Sequence, residues 1–259
     1  MTTSTMEHKA FDKKRMLLGM ASTVFWLLLW QLAAMLIKQE LFLVSPVAVI
    51  KCLFELMQTS RFYETVAFTL SRIMLGFVGG ALVGTGFAFL AYKQHLFETL
   101  LRPILGAIKA APVASFVVLA LLAVGSKNLA ALISFLMVLP VFYSSLLAAL
   151  KSVEPERFEA AEVFGMLRRD RFRFIYLPYT APHFASACQV GMGLAWKSGV
   201  SAEVIGITVG SIGEMLYESK LSLETDRLLA YTLVVVLISL LLEKLLSCLI
   251  GAVSRSLTK

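Results

Sequence analysis

The chain has 259 residues, 58% of them hydrophobic and 16% charged, against roughly 45–50% and about 25% in an ordinary soluble domain. That composition excludes water as the solvent for most of the chain, and the net charge of +7 comes with no basic stripe interleaved with aromatics outside the apolar runs, which excludes a nucleic-acid partner. No polar block is large enough to fold separately, so the sequence reads as a single all-α, polytopic membrane domain over 16–250 with tails at 1–15 and 251–259.

A spanning helix needs about 20 mainly apolar residues, because the hydrocarbon core is roughly 30 Å thick and each residue rises about 1.5 Å. Six segments approach that length: Met16 to Ile37, Thr65 to Tyr92, Pro103 to Val124, Leu129 to Leu150, Phe184 to Thr208 and Leu228 to Ile250. The first follows Lys9, Lys13, Lys14 and Arg15 as a secretory signal would, but its apolar run is too long for a signal core and no small-x-small site follows it. It is expected to be a retained span. Next, Ser45 and Pro46 suit a helix cap and first turn, and Ile50, Leu53, Phe54 and Met57 follow the i, i+3, i+4, i+7 pattern. A short amphipathic helix on the outer face follows, either an interfacial anchor or part of a docking surface for an external partner.

Gly76, Gly80 and Gly84 recur every four residues in the second span, so a neighbouring helix can approach that face closely. The third span is interrupted by Lys109 and Pro112, leaving a clean run only from Val113 to Val124, and its inner end is expected to be a separate short helix or a bend. After the fourth span comes the largest loop, 151–183. Glu154 and Pro155 suit a helix start, Glu156 and Glu159 complement the positive end of the helix dipole, and Gly165 suits its terminator. Phe158, Ala161 and Phe164 are expected on one side of this helix, from Pro155 to Phe164. A second short helical or turn segment, rich in Arg168, Arg169, Arg171 and Arg173, then runs to Pro178. Such a knob can fill a groove on a soluble partner.

Orientation follows from the positive charges. With the amino terminus inside, fourteen of the 24 Lys and Arg fall in cytoplasmic segments, six lie outside, and Arg72, Lys109, Lys197 and Lys244 lie within spans. Cytoplasmic loops retain positive charge, so both termini and the 151–183 loop are expected in the cytoplasm.

Intramembrane charges need an account. Lys197 shares a helix face with Ser186, Gln189, Val190 and Gly193, a polar and small-residue stripe suited to a water-filled path, whereas Glu203 shares a face with Trp196. Lys197 either contacts an anion there or pairs with a carboxylate on another span; Arg72, near the outer end, can snorkel. The candidate pathway set is therefore Lys197, Gln189, Ser186, Arg72, Trp196 and Glu203.

Catalytic and cofactor chemistry find no footing. Cys52, Cys188 and Cys248 offer neither a disulfide framework nor zinc spacing, and His8, His95 and His183 are as dispersed, so no metal is expected. No Ser-His, Cys-His or aspartate pair sits at matching depth. Gly191 to Ser198 reads G-x-x-x-x-W-K-S, but Trp196 stands where a phosphate loop needs glycine, and no strand precedes it.

Glu159-Ala160-Ala161, three residues, Gly165, nine residues, then Ile175-x-Leu177-Pro178 resembles the EAA signature of permease subunits of bacterial ATP-binding-cassette importers. The likeness covers nearly the whole chain and is similar to the nitrate, sulfonate and taurine group: Ser45-Pro46, Ser71-Arg72 with Gly76-Phe77, Pro103 with Lys109 and Pro112, Ala195-Trp196 with Val200 and Ala202-Glu203, and Gly210-Ser211-Ile212-Gly213. This resemblance implies a type I importer permease in the bacterial inner membrane. It implies two copies forming the pathway, two ATPase subunits that bind ATP and magnesium, an external solute-binding protein, and a loop helix that acts as a lever. The substrate it suggests is a small anion such as a sulfonate, taurine or nitrate, or alternatively a vitamin or thiamine precursor. A secondary transporter would also suit six helices and buried charges, but leaves the loop signature unexplained.

Overall fold

The computed structural model describes residues 3–37 and 43–257, and the side chains of 18–19, 21–37 and 43–251. In chain order the elements are α1 (Thr3–Ile37), α2 (Pro46–Met57), α3 (Ser60–Lys93), α4 (His95–Ala110), α5 (Val113–Val124), α6 (Ser126–Lys151), α7 (Pro155–Val163), α8 (Arg168–Arg171), a π-helical turn (Phe172–Tyr176), α9 (Leu177–Gly206), α10 (Ile212–Leu221) and α11 (Thr225–Leu257). By length and composition α3, α6 and the Thr225–Gly251 part of α11 qualify as membrane spans, and the broken pair α4–α5 makes a fourth. Helix α9, with 30 residues, is long enough but more polar, and the apolar part of α1 is the shorter Ala21–Ile37.

Helices α3, α6 and α9 pack together as the centre of the fold. The glycine row of α3 makes this possible: a Cβ on Gly80 would lie 2.8 Å from Phe135 O and 2.9 Å from Val138 Cβ, and one on Gly84 2.6 Å from Leu139 O. Without those hydrogens-only positions the two backbones could not approach, as the four-residue spacing predicts. Ser134 on α6 donates to the Ala195 carbonyl of α9 at 3.0 Å, and Phe142, Met192 and Trp196 fill the space between helices.

The amphipathic helix α2 forms as expected, with Ser45 Oγ accepting from Ala48 N at 3.2 Å and Pro46 in the first turn. Its apolar surface is wider than the sequence pattern suggested. Val49, Cys52, Leu53 and Leu56 face Trp30 of α1 and Leu229, Ala230 and Leu233 of α11, whereas Ile50, Phe54 and Met57 stay exposed. The expected row thus splits, because two neighbouring arcs of this helix are apolar and only one is covered.

The third span departs furthest from a straight rod. Helices α4 and α5 meet at Ala111 and Pro112 with a bend of 108°. Pro112 has no N–H for the Ile108 carbonyl and biases Ala111 to the extended conformation it adopts, at φ −77° and ψ 142°. The clean run from Val113 to Val124 is α5, and α4 starts well before Pro103, at His95, where the Glu98 carboxylate pairs with Lys151 at the end of α6.

Candidate functional site

The 151–183 loop is built around a small core of its own. Helix α7 starts at Pro155 after Glu154, and ends in a pair of crossed backbone bonds: Gly165 N donates to Glu162 O at 3.0 Å and Met166 N to Ala161 O at 2.9 Å. Gly165 has φ +62°, which a side chain would strain, so glycine is the natural stop for this helix. Ala161, Val153 and Ile175 are buried together, with Phe158, Met166 and Tyr179 packed around them. Two positions of the signature, Ala161 and Ile175, therefore clamp α7 onto the polypeptide entering α9. Glu159 and Ala160 point to solvent, Leu177 is half-buried, and Pro178 is exposed in the first turn of α9.

Two details differ from the sequence expectation. Phe158 and Ala161 do share the inner side of α7, but Phe164 stands outside it: Val163 is 84%, Phe164 82% and Leu167 71% exposed. The helix stops one residue earlier than the face assignment required, and the tight glycine turn swings Phe164 outward. The arginine-rich segment is also not separate. Helix α8, the π-helical turn and α9 run on without a loop, and the turn with five-residue spacing falls just ahead of Pro178, which cannot donate its backbone N–H. Phe172 meets Phe89 at 6.4 Å and Tyr176 meets Tyr92 at 6.1 Å between ring centres, so this stretch leans on the C-terminal end of α3.

The pathway candidates sort onto different surfaces. Ser186, Val190 and Lys197 lie on the open face of α9. Gln189 is turned to α11, where its Nε2 donates to Ser247 Oγ at 3.3 Å, and a Cβ on Gly193 would lie 3.4 Å from Glu243 Oε1. Glu243 thus lies beside the stripe, yet no ion pair joins it to Lys197 among the described residues. Arg72 donates to Asn128 Oδ1 at 3.0 Å in the first turn of α6 and lies over the Phe68 ring.

Trp196 and Glu203 sit inside the helix packing, away from the open face. Trp196 Nε1 donates to Val235 O at 2.9 Å and ties α9 to α11. Glu203 accepts from Thr69 Oγ1 at 2.8 Å and Gly213 N at 3.4 Å, while Thr69 Oγ1 accepts from Ile212 N at 2.9 Å. Together they hold the first turn of α10 against α3 and α9, with Gly213 too close to Glu203 to carry a side chain. The sequence separation of 134 between Thr69 and Glu203 left no local signal for this bond.

A cleft of about 410 Å³ opens beside the broken span, lined by Lys109, Val141, Ser144, Ser145, Ser186, Ala187 and Val190. Of the sequence-derived pathway candidates, only Ser186 borders it.

This architecture, a bundle around α3, α6 and α9 with a clamped loop helix, has counterparts. The profile of the family described as "Binding-protein-dependent transport system inner membrane component" matches residues 64–259. The chain belongs to this family. It is the membrane-spanning permease of an ATP-binding-cassette importer, a multi-pass protein of the inner membrane. The permease is 29% identical over 221 residues to the taurine transport system permease protein TauC of Escherichia coli, covering 83% of this chain and 80% of TauC. It is 24% identical over 189 residues to the putative aliphatic sulfonates transport permease protein SsuC of Bacillus subtilis, covering 72% and 67%. A chain of a bacterial alginate importer crystallised with an alginate-bound periplasmic protein shares the fold at a TM-score of 0.59 and 16% identity, covering 97% of this chain and 98% of that one.

Proposed function

We infer that the permease is driven by a separate cytoplasmic ATPase seated on α7, that two copies form the pathway, and that an external binding protein delivers a small sulfonate-type solute. Both termini lie in the cytoplasm, on the side of the loop that carries α7. The observation that carries this reading is the division of labour within that loop. Its inner residues, Val153, Ala161 and Ile175, are buried, while Val163, Phe164 and Leu167 project from its far end. Large apolar side chains at the tip of a polar loop suit a groove on a soluble protein.

Motion of the docked ATPase then reaches the membrane through few intermediates. Ile175 joins α7 to the start of α9, and α9 continues to Gly206, about 45 Å at 1.5 Å per residue. Bonds from Ser134 and Trp196 couple α9 to α6 and α11, so a tilt of α9 is shared by the bundle. ATP shifts the inward-outward equilibrium only as far as the ATPase favours one tilt. The relatives' names support a sulfonate or taurine substrate, and Lys197, on the open face of α9 and in no ion pair among the described residues, supports a negatively charged group.

The test is reconstitution with the cognate ATPase and binding protein. Phe164→Asp and Glu159→Lys, both on exposed positions, should leave the permease inserted and monodisperse while abolishing ATPase retention in a pull-down and ATP-driven uptake. Gly165→Pro should uncouple uptake as well. ATPase retention at the wild-type level in Phe164→Asp rules out this docking surface.

A further inference from the structure

The geometry points to the cleft at the broken third span as an inward-side station for the transported solute, with Lys109 as its acid-group contact and small aminosulfonate-type zwitterions as its ligand class. This rests on the importer reading above and adds to it a site outside the pathway residues that the sequence singled out.

The cleft exists because the span is broken. A straight helix over 95–124 would lie along its neighbours, whereas the 108° turn at Ala111 and Pro112 carries α4 away and leaves Lys109 beside α6 and α9. Non-helical backbone at membrane depth is tolerated where it is buried in protein or faces water, and interrupted helices line the binding sites of many transporters. Lys109 stands two residues from the break, is exposed, and makes none of the ion pairs among the described residues, and a cation within a spanning segment is costly unless it faces water or a counter-charge.

The hydroxyls across the cleft supply the opposite preference. Ser144 Oγ donates its single proton to Pro140 O at 2.7 Å, and Ser145 Oγ donates to His183 O at 3.1 Å. With those protons committed, both oxygens offer lone pairs, and so accept. The cleft therefore pairs a positive donor, Lys109, with hydrogen-bond acceptors on α6. A plain anion satisfies only the first; a molecule with a strong acid at one end and an ammonium at the other satisfies both. The site is also continuous with the open face of α9. Ser186 and Val190 border the cleft, and Lys197 follows Val190 by seven residues on the same face, about 10 Å farther out. Lys109 and Lys197 thus mark successive positions along one open surface.

The test uses the complete importer in inside-out vesicles, with Ser186→Cys introduced where Cys52, Cys188 and Cys248 are alanine. The labels are the anionic 2-sulfonatoethyl methanethiosulfonate and its cationic trimethylammonioethyl counterpart. Both should react, and the anionic reagent should be favoured by about tenfold, the lower end of the enrichment expected near a charge in a low-dielectric cleft. Each rate is divided by that reagent's rate with free 2-mercaptoethanol, so the ratio cancels both the reagents' own reactivities and that of the cysteine. Lys109→Gln should bring the ratio to about one, Lys109→Arg should restore it, and millimolar taurine should slow labelling more than the same concentration of methanesulfonate. Labelling by neither reagent, or a ratio indifferent to Lys109, overturns the site; equal protection by the two solutes overturns the zwitterion assignment. If Ser186→Cys disturbs assembly, Ser145→Cys reads the same cleft from α6. The importer reading is scored separately, by whether ATP with vanadate changes the labelling rate. A Lys109-dependent ratio without any response to ATP preserves the site and rejects the ATPase coupling.

Discussion

Replacing Ile175 by alanine isolates the link between the loop helix α7 and the membrane helices. Ile175 is 6% exposed and shares its cluster with only Val153 and Ala161 as buried partners, ringed by the half-buried Phe158, Met166 and Tyr179. Truncating a buried isoleucine to alanine costs about 2–5 kcal/mol, and a cluster with a movable rim can collapse into the space, so the expected cost is about 2 kcal/mol. Because this cluster is separate from the main core, the loss should fall on local undocking of α7 rather than on global unfolding. A cost of 2 kcal/mol is about 30-fold in the docked equilibrium. Hydrogen exchange of the permease in detergent should therefore show α7 amides exchanging about 30-fold faster in Ile175→Ala, with α3 and α6 amides unchanged. In the reconstituted importer, solute moved per ATP should fall while ATP hydrolysis persists. If α7 exchange is unaltered, or if α3 and α6 loosen equally, the loop core does not serve as the connecting joint.

Gly80→Leu places a side chain where Phe135 O and Val138 Cβ leave under 3 Å, so it should prevent recovery of monodisperse protein, whereas Gly86→Leu, with open space around it, should elute like the wild type. Thr69→Val removes a buried hydroxyl shared by Glu203 and Ile212 N, for an expected cost of about 1–3 kcal/mol read as a lowered melting temperature; Thr69→Ser should recover most of it. Glu98 pairs with Lys151 where α4 meets the end of α6; a partly exposed pair of this kind is worth about 0–1 kcal/mol, so Glu98→Gln should lower the melting temperature only slightly, and the difference from the wild type should shrink as salt is raised.

Much of the fold was legible because each signal was local. The caps at Ser45 and Pro46, the glycine row of α3, the interruption at Lys109 and Pro112, and the stop at Gly165 each depend on residues within a turn or two, and each stands where the pattern put it. The complete spacing from Glu159 to Pro178 located the knob for the same reason. Surfaces created by distant contacts were harder to read. Trp196 and Glu203 share a helical face, but the identity of what covers that face is set by Thr69, Val235 and α10. Lys109 registers in sequence only as a helix interruption, and becomes a cleft residue because a 108° turn brings α4 beside serines on α6 and α9. Phe164 was assigned to the inner side of α7 by helical periodicity, which ceases to apply once the helix ends at Val163.

The central claim is that a clamped loop transmits work from a separate nucleotide-driven subunit to the helix bundle. Uptake of labelled taurine by proteoliposomes containing the permease, its ATPase and its binding protein tests this most directly, with and without ATP and with Phe164→Asp in parallel. The account predicts uptake only in the complete, ATP-fuelled system, and none in the variant. Concentrative uptake by the permease alone, or ATP-driven uptake undiminished in Phe164→Asp, would contradict it.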